Sequence, residues 1–188
     1  MKQILLIKAL CVLTLVLTTS SCAKDDIEDN SQSTQLTVKL KSSNQSSSKV
    51  YLDIQDVQIR TDENPNSSNS WKSLTTINQG VFNVSDLKEN NTLLLVDGFD
   101  FEATYAYEIR LVLGDNNFMD INNVLHSLDI ETLGNAKPSN LIATQLNSKR
   151  RYDMVIDIDL EKSVSYNEEE NMMILNPKLY TSIRQIEY

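Results

Sequence analysis

Residues 105–113 read Tyr105-Ala106-Tyr107-Glu108-Ile109-Arg110-Leu111-Val112-Leu113. Tyr105, Tyr107, Ile109, Leu111 and Leu113 fall on one side of an extended chain, and Ala106, Glu108, Arg110 and Val112 on the other. A period of two marks a half-buried strand. The same period returns on both sides of this stretch. Leu36, Val38 and Leu40 alternate with polar residues, as do Val50, Leu52 and Ile54. In the latter run the phase slips at Asp56 before Val57 and Ile59 resume it, which predicts a β-bulge or a strand that changes sheet. Tyr152, Met154, Ile156, Ile158 and Leu160 alternate with Asp153, Val155, Asp157 and Asp159.

Shorter candidates fill the rest. Trp71-Lys72-Ser73-Leu74, Val81-Phe82-Asn83-Val84, Thr92-Leu93-Leu94-Leu95-Val96 and residues 141–145, 172–175 and 180–186 read as strands. Asp97-Gly98 reads as a turn, residues 61–70 as an exposed hairpin loop, and residues 161–166 as one helical turn. Residues 115–134 are mixed, with room for a long loop, a short strand and a turn of helix. No sustained 3.6-residue pattern follows the first segment. Many short strands with turn signals between them predict an all-β, antiparallel two-sheet sandwich, Greek-key in connection and immunoglobulin-like or transthyretin-like in type.

The N-terminal segment is different in kind. Lys2 and Lys8 flank the start of the apolar run Ala9-Leu10-Cys11-Val12-Leu13-Thr14-Leu15-Val16-Leu17, which is followed by small residues and Cys22. This is the layout of a signal peptide, and the run is too short for the ~20 apolar residues of a bilayer-spanning helix. Thr19-Ser20-Ser21-Cys22 resembles a bacterial lipobox, with Thr19 where leucine is usual. The resemblance implies lipidation at Cys22. Ala23-Lys24-Asp25-Asp26 resembles the signal, a lysine followed by two acids, that sends some Gram-negative lipoproteins to the outer face of the outer membrane. The organisation expected is a signal peptide over 1–21, a flexible lipidated tether over 22–35, and one domain over 36–188.

Composition narrows the function. The 188 residues hold 26 Asp and Glu against 17 Lys and Arg, a net charge of −9, with two Cys and one His. Loss of residues 1–21 removes Lys2, Lys8 and Cys11, so the mature 167 residues carry −11 and no thiol but Cys22. The acidic balance argues against a nucleic-acid partner, and one His with two Cys argues against a His/Cys zinc site.

The second half resembles the family numbered 4382 among bacterial domains of unknown function. The matching pieces are Tyr107-Glu108-Ile109-Arg110-Leu111, Pro138-Ser139, Ile156-Asp157-Ile158-Asp159, Ser163-Val164 and Leu175-Asn176-Pro177. Val57-Gln58-Ile59 and the strand after Trp71 fit its opening strands. The resemblance spans Leu36 to Arg184 and departs at Leu141-Ile142-Ala143-Thr144-Gln145, where the family has a Gly-Leu-Lys-like element. It implies a β-rich extracytoplasmic domain with no established activity.

Candidate sites follow from residue type. Asp153, Asp157 and Asp159 share a strand face at ~7 Å steps. Asp157 and Asp159 are the candidate Ca²⁺ pair, against the reading of a solvated acidic face. Asp62-Glu63-Asn64 and Asp115-Asn116-Asn117 read as turn chemistry. Arg110 is expected to bridge to Asp157 or Asp159 and lock adjacent strands. His126 would have to serve any Ser-His-Asp triad, but no Gly-flanked Ser turn accompanies it, so it reads as a loop residue. Trp71 is the candidate sugar-stacking residue, whereas Tyr105 and Tyr107 are assigned to the core by their alternation; Tyr51 is a further aromatic candidate. The function expected is a non-enzymatic cell-surface lipoprotein that binds a glycan or a protein or belongs to a surface assembly. The alternatives are a structural subunit using strand exchange and a small carboxylate-dependent hydrolase. No cofactor is expected beyond Ca²⁺, and the first partner is outer-membrane lipid at the anchor.

Overall fold

The computed structural model describes residues 33–43, 48–130 and 139–187. The signal segment, Cys22, and the export residues Lys24, Asp25 and Asp26 lie outside the described residues, as does Pro138. The strands are β1 (Thr34–Ser42), β2 (Lys49–Arg60), β3 (Trp71–Ser73), β4 (Gly80–Asn83), β5 (Leu93–Phe101), β6 (Tyr105–Leu113), β7 (Phe118–Ile121), β8 (Val124–Ile130), β9 (Ser139–Gln145) and β10 (Arg151–Ile158). A helical turn, α1 (Leu160–Ser163), precedes β11 (Val164–Asn167), β12 (Met172–Leu175) and β13 (Leu179–Ile186). β1 opens at Thr34, so Thr34 and Gln35 belong to the first strand.

The all-β reading holds, and the strands form two sheets. One has the order β13-β10-β1-β5; the other runs β11-β12-β8-β7-β2-β6-β9, with β3 and β4 also paired to β2. Alternation delivers the apolar faces to one shared core: Leu36, Val38 and Leu40 from β1, Met154, Ile156 and Ile158 from β10, Leu52, Ile54, Val57 and Ile59 from β2, and Ile109 and Leu111 from β6. The sheets are mixed instead of purely antiparallel, because β1 runs parallel to β10 and β12 parallel to β8. A period of two reports which face is buried and carries no information on strand direction.

The slip at Asp56 is a register shift between Ile54 and Asp56 against β6, and it returns both Ile54 and Val57 to the core. Other local expectations change. Asp97-Gly98 is not a turn: β5 runs through it, with register shifts against β1 and Gly98 at φ +56. That left-handed conformation suits glycine at a bulge. Of residues 115–134, the described ones, 115–130, hold a hairpin, β7–β8, closed by Asn122 (φ 54) and Asn123 (φ 65). Two successive positive φ values are the two-residue turn that asparagine tolerates. Tyr105 and Tyr107 are not core. Ala106 is buried instead, the register with β9 shifts between Ala106 and Glu108, and the two tyrosine rings pack on each other with centroids 4.5 Å apart.

β2 organises the larger sheet. On one side Arg60 to Ile54 pair with β6, and Tyr51 to Lys49 pair with β7. On the other side Arg60 to Gln58 pair with β3, and Ile54 to Tyr51 with β4. Each edge of β2 therefore meets two strands in succession with a break between them. Asp53 fills the first break. Its N–H donates to Asn117 Oδ1 at 3.0 Å and its carbonyl accepts from Gly114 N at 2.8 Å. Its carboxylate accepts from Gln55 Nε2 at 2.5 Å and from Asn116 N and Nδ2 at 3.4 Å. A Cβ on Gly114 would stand 2.3 Å from Asp53 Oδ2, so the close approach requires glycine there. Asp56 serves the second break: its Oδ1 accepts from Val57 N, Ser73 Oγ and Thr76 Oγ1.

Asp53 is 4% exposed. Replacing it with alanine removes the hydrogen bonds that its charged carboxylate accepts from Gln55 and Asn116, at a cost of about 2–3 kcal/mol. Asp53→Asn keeps the shape and one acceptor and costs about 1 kcal/mol. Urea denaturation of the two variants checks this order; equal stabilities would show that the Asp53 carboxylate does not hold the break together.

Candidate functional site

The charged residues that the sequence offered are partnered. Asp153 on β10 receives Lys39 Nζ at 3.3 Å and Arg184 at 3.7 Å, and Asp157 has Lys41 Nζ at 3.6 Å. Because β1 is the parallel neighbour of β10, its lysines face the β10 carboxylates. Glu89 also pairs with Lys41, and this hydrogen bond, with Asp157 nearby, holds the Lys41 ammonium above its usual value. Asp159 lies past the end of β10. Its Oδ1 caps α1 through Lys162 N at 3.3 Å and its Oδ2 meets Lys162 Nζ at 2.6 Å. Asp157 and Asp159, the candidate Ca²⁺ pair, thus have separate lysines and separate tasks. Among the described residues no group of three or more His, Cys, Asp and Glu side chains is arranged to hold a metal.

Arg110 does not bridge to Asp157 or Asp159, because β6 and β10 belong to different sheets. It faces its register partner Gln58 on β2, donating to Gln58 Oε1 from Nε at 2.9 Å and from Nη2 at 2.5 Å. Its guanidinium lies 3.7 Å from the centroid of Trp71. Burial pushes the Arg110 pKa down, opposed by the charges of Glu108 and Asp56. Next to this pair, Arg60 Nε meets Glu108 at 2.8 Å and its guanidinium sits 5.1 Å over Tyr107. Trp71, expected to present an open ring, is half-buried with one face under Arg110. Tyr51 stacks on its register partner Phe118, centroids 4.6 Å apart. The acidic loop Asp62-Glu63-Asn64 is turn chemistry: Asp62 Oδ1 accepts from Asn64 N at 2.9 Å, and the Asp62 and Glu63 carbonyls accept from Arg60. Asp115-Asn116-Asn117 lies at the Asp53 break.

Depressions of the described surface include two that touch these residues. One, of about 310 Å³, lies between Ser42, Ser85, Leu87 and Glu89 and is crossed by the Lys41–Glu89 pair. The other, of about 610 Å³, is lined by Ile121, Leu125, His126, Ser127, Asp129, Tyr166, Asn171, Met172 and Met173. It is built by the β7–β8 and β11–β12 hairpins, joined through the parallel pair β8–β12. His126 is therefore a strand residue, opposite Met119 on β7. Leu125 is 66% exposed, Val124 56% and Tyr166 55%. Apart from His126, these residues carry no chemistry that singles them out in the sequence. The signal that leads to them is Asn122-Asn123 between Phe118-Met119-Asp120-Ile121 and Val124-Leu125-His126-Ser127, a two-residue hairpin turn.

Trp71 is the chain's single tryptophan, so its emission reports the Arg110 stack. Arg110→Ser uncovers the ring. A red-shifted emission is expected, together with a stability loss of about 1 kcal/mol; an unchanged spectrum would show that the guanidinium does not cover the ring in solution.

No curated protein and no solved structure matches the chain. One family model does match, that of Domain of unknown function (DUF4382), and it covers residues 33–177. The match begins one residue before β1 and ends just after β12, taking in twelve of the thirteen described strands. With more than half of its length under that model, the chain belongs to the DUF4382 family.

Proposed function

We propose that the protein is a non-enzymatic lipoprotein of the Gram-negative cell surface, anchored at Cys22, that binds a protein partner at the depression between the β7–β8 and β11–β12 hairpins. The single observation that carries this reading is the exposed apolar pair Leu125 and Tyr166 beside Met172 and Met173 in the depression. A soluble surface rarely groups such side chains unless something covers them, and methionine-lined surfaces adapt to a partner's shape. The position is consistent with the anchor. Thr34, the first residue of β1, pairs with Phe101, and β6 starts four residues later at Tyr105. β6 then runs along β2, and β7 continues along the same edge to Lys49, at the other end of β2. Twelve residues of strand extend roughly 40 Å, so the hairpins stand at the far end of β2 from the point where the chain enters the domain.

A glycan partner has less in its favour, because the ring face of Trp71 that would stack on a sugar carries Arg110. Strand exchange finds three of the four sheet ends, all but β9, covered or short. The outer side of β5 accepts Ile77 N at Leu95 O and Asn78 Nδ2 at Leu94 O. The outer side of β13 meets the Asn140 carboxamide of β9, which, oriented with its nitrogen toward Leu179 O, donates there at 3.0 Å and accepts from Thr181 N at 2.8 Å. β11, which ends the larger sheet, has only four residues, and so short an edge is a poor template.

A photo-crosslinking side chain at Leu125, on intact cells, tests the reading. A discrete protein adduct from Leu125 is expected, and none from Tyr180, which is also exposed but lies on the other sheet. With the crosslinker kept at 125, Tyr166→Asp on the opposite wall should abolish it while changing stability by less than about 0.5 kcal/mol, as for other surface substitutions. Equal yields from the two positions, or glycan-array binding lost in Trp71→Ala, would overturn the assignment of the depression.

A further inference from the structure

The chain has one histidine and five methionines, and three of those methionines meet the histidine at one end of the larger sheet. The two-residue turn Asn122-Asn123 sets the register of its hairpin, which puts Met119 on β7 directly opposite His126 on β8. Directly opposite residues share a face, with Cβ atoms about 5 Å apart. On the other flank of β8, Met173 of β12 is the parallel partner of Leu128, two residues beyond His126. A step of two residues preserves the face, so Met119, His126 and Met173 all point to one side. A strand spacing of about 4.8 Å and a step of about 6.6 Å leave the backbones of His126 and Met173 roughly 8 Å apart. Metal–ligand bonds of about 2 Å, added to an imidazole on one side and a thioether on the other, span both gaps.

The shared face is the one that buries Leu128, and Val50, the register partner of Met119 on β2. Met119 and Met173 pack against that core and are partly buried, while His126 is exposed at its rim. Met172 leaves β12 on the opposite face but lines the same depression as His126 and Met173. Tyr166, the register partner of Met173, adds an aromatic ring, and ring faces attract cations. Zinc and calcium call for thiolates, several imidazoles or carboxylates, and no such group is assembled among the described residues. Thioether sulfurs are neutral and polarizable and select soft ions instead.

We propose that His126, Met119 and Met173 form a binding site for a soft monovalent cation, with copper(I) as the physiological ion of that class. The ion is bound and released without a change of oxidation state. All the ligands come from this chain, so the site does not rest on the protein-partner reading; a partner seated on Leu125 and Tyr166 would cover the ion.

Silver(I), a redox-inert ion of the same class, is the probe. The full chain carries Cys11→Ser and Cys22→Ser, so that no thiol competes for the ion. With the methionine methyls labelled with carbon-13, silver is expected to shift the resonances of Met119 and Met173 and the ring signals of His126, and to leave Met154, fully buried in the core, in place. Excess zinc(II) should not reverse these shifts. Met119→Leu and Met173→Leu keep the side-chain volume, and His126→Gln changes an exposed position. Each should weaken silver binding by at least about tenfold, since even the outer partners of a bound metal cost that much when lost. Ring shifts at His126 with the methyls of Met119 and Met173 unmoved, or equal silver affinity in the two leucine variants and the parent chain, would overturn the site; the methyl shifts of the parent chain decide the matter where a variant does not fold. The readout is the isolated protein, whereas crosslinking on intact cells tests the protein partner, so either reading can fail alone.

Discussion

The larger sheet depends on a single strand whose two edges are both interrupted. β2 pairs with β6 and then β7 on one side, and with β3 and then β4 on the other. At each interruption backbone donors and acceptors lose their ladder partners, and a buried unpaired group is costly. The sequence answers with one carboxylate per gap, Asp53 at one and Asp56 at the other. Asp53 joins the turn of Gly114, Asn116 and Asn117 to the strand, and the Asn117 carbonyl accepts Leu128 N, which carries the connection into β8. The hairpins that form the depression are thus held to the core through an acid that looks, in the sequence, like any other charge on an alternating strand.

The same logic governs the outer faces. Charges sit within strong strands because each has an opposite partner across the ladder: Lys39 and Arg184 for Asp153, Lys41 for Asp157, Arg60 for Glu108. The pairs of Asp153 and Asp157, which water reaches, contribute little net stability. Their value is in register, since shifting a strand by one residue would put a lysine in the core and a leucine in water. Arg110 differs, because an aromatic ring and a neutral amide hold it.

Alternation makes most strands legible, and β6 matches its reading at both ends. The slip at Asp56 is legible for the same reason, since a bulge leaves its mark on the phase. Three features are not. The parallel pairings of β1 with β10 and β8 with β12 leave no trace in a period of two. Asp97-Gly98 carries the residues of a turn, yet a bulge asks for the same glycine with positive φ, and only the pairing with β1 distinguishes them. The partner of Arg110 is hidden as well, because residues that alternate alike need not share a sheet. The candidate site is less legible than the fold. Trp71 and His126 stand out by residue type, whereas the depression arises from two hairpins brought together by a parallel pair far apart in sequence.

β1 is the first strand of the domain and is enclosed on both sides. β10 flanks it from Gln35–Arg151 to Ser42–Ile158, β5 flanks it on the other side, and Leu36, Val38 and Leu40 are fully buried. In the anchored arrangement proposed above, any pull from the membrane enters at Ser33 and runs along this strand. It therefore shears two ladders lengthwise, so that many hydrogen bonds share the load at once. An edge strand in the same position would peel one bond at a time. The Lys149 and Arg150 bonds to Ser33 and Gln35 stand at the entry point, the first contacts such a load would meet. A strand order that puts β1 at the centre is thus suited to a domain held by its N-terminus, and it ties the stability of the core to the segment through which the protein is anchored.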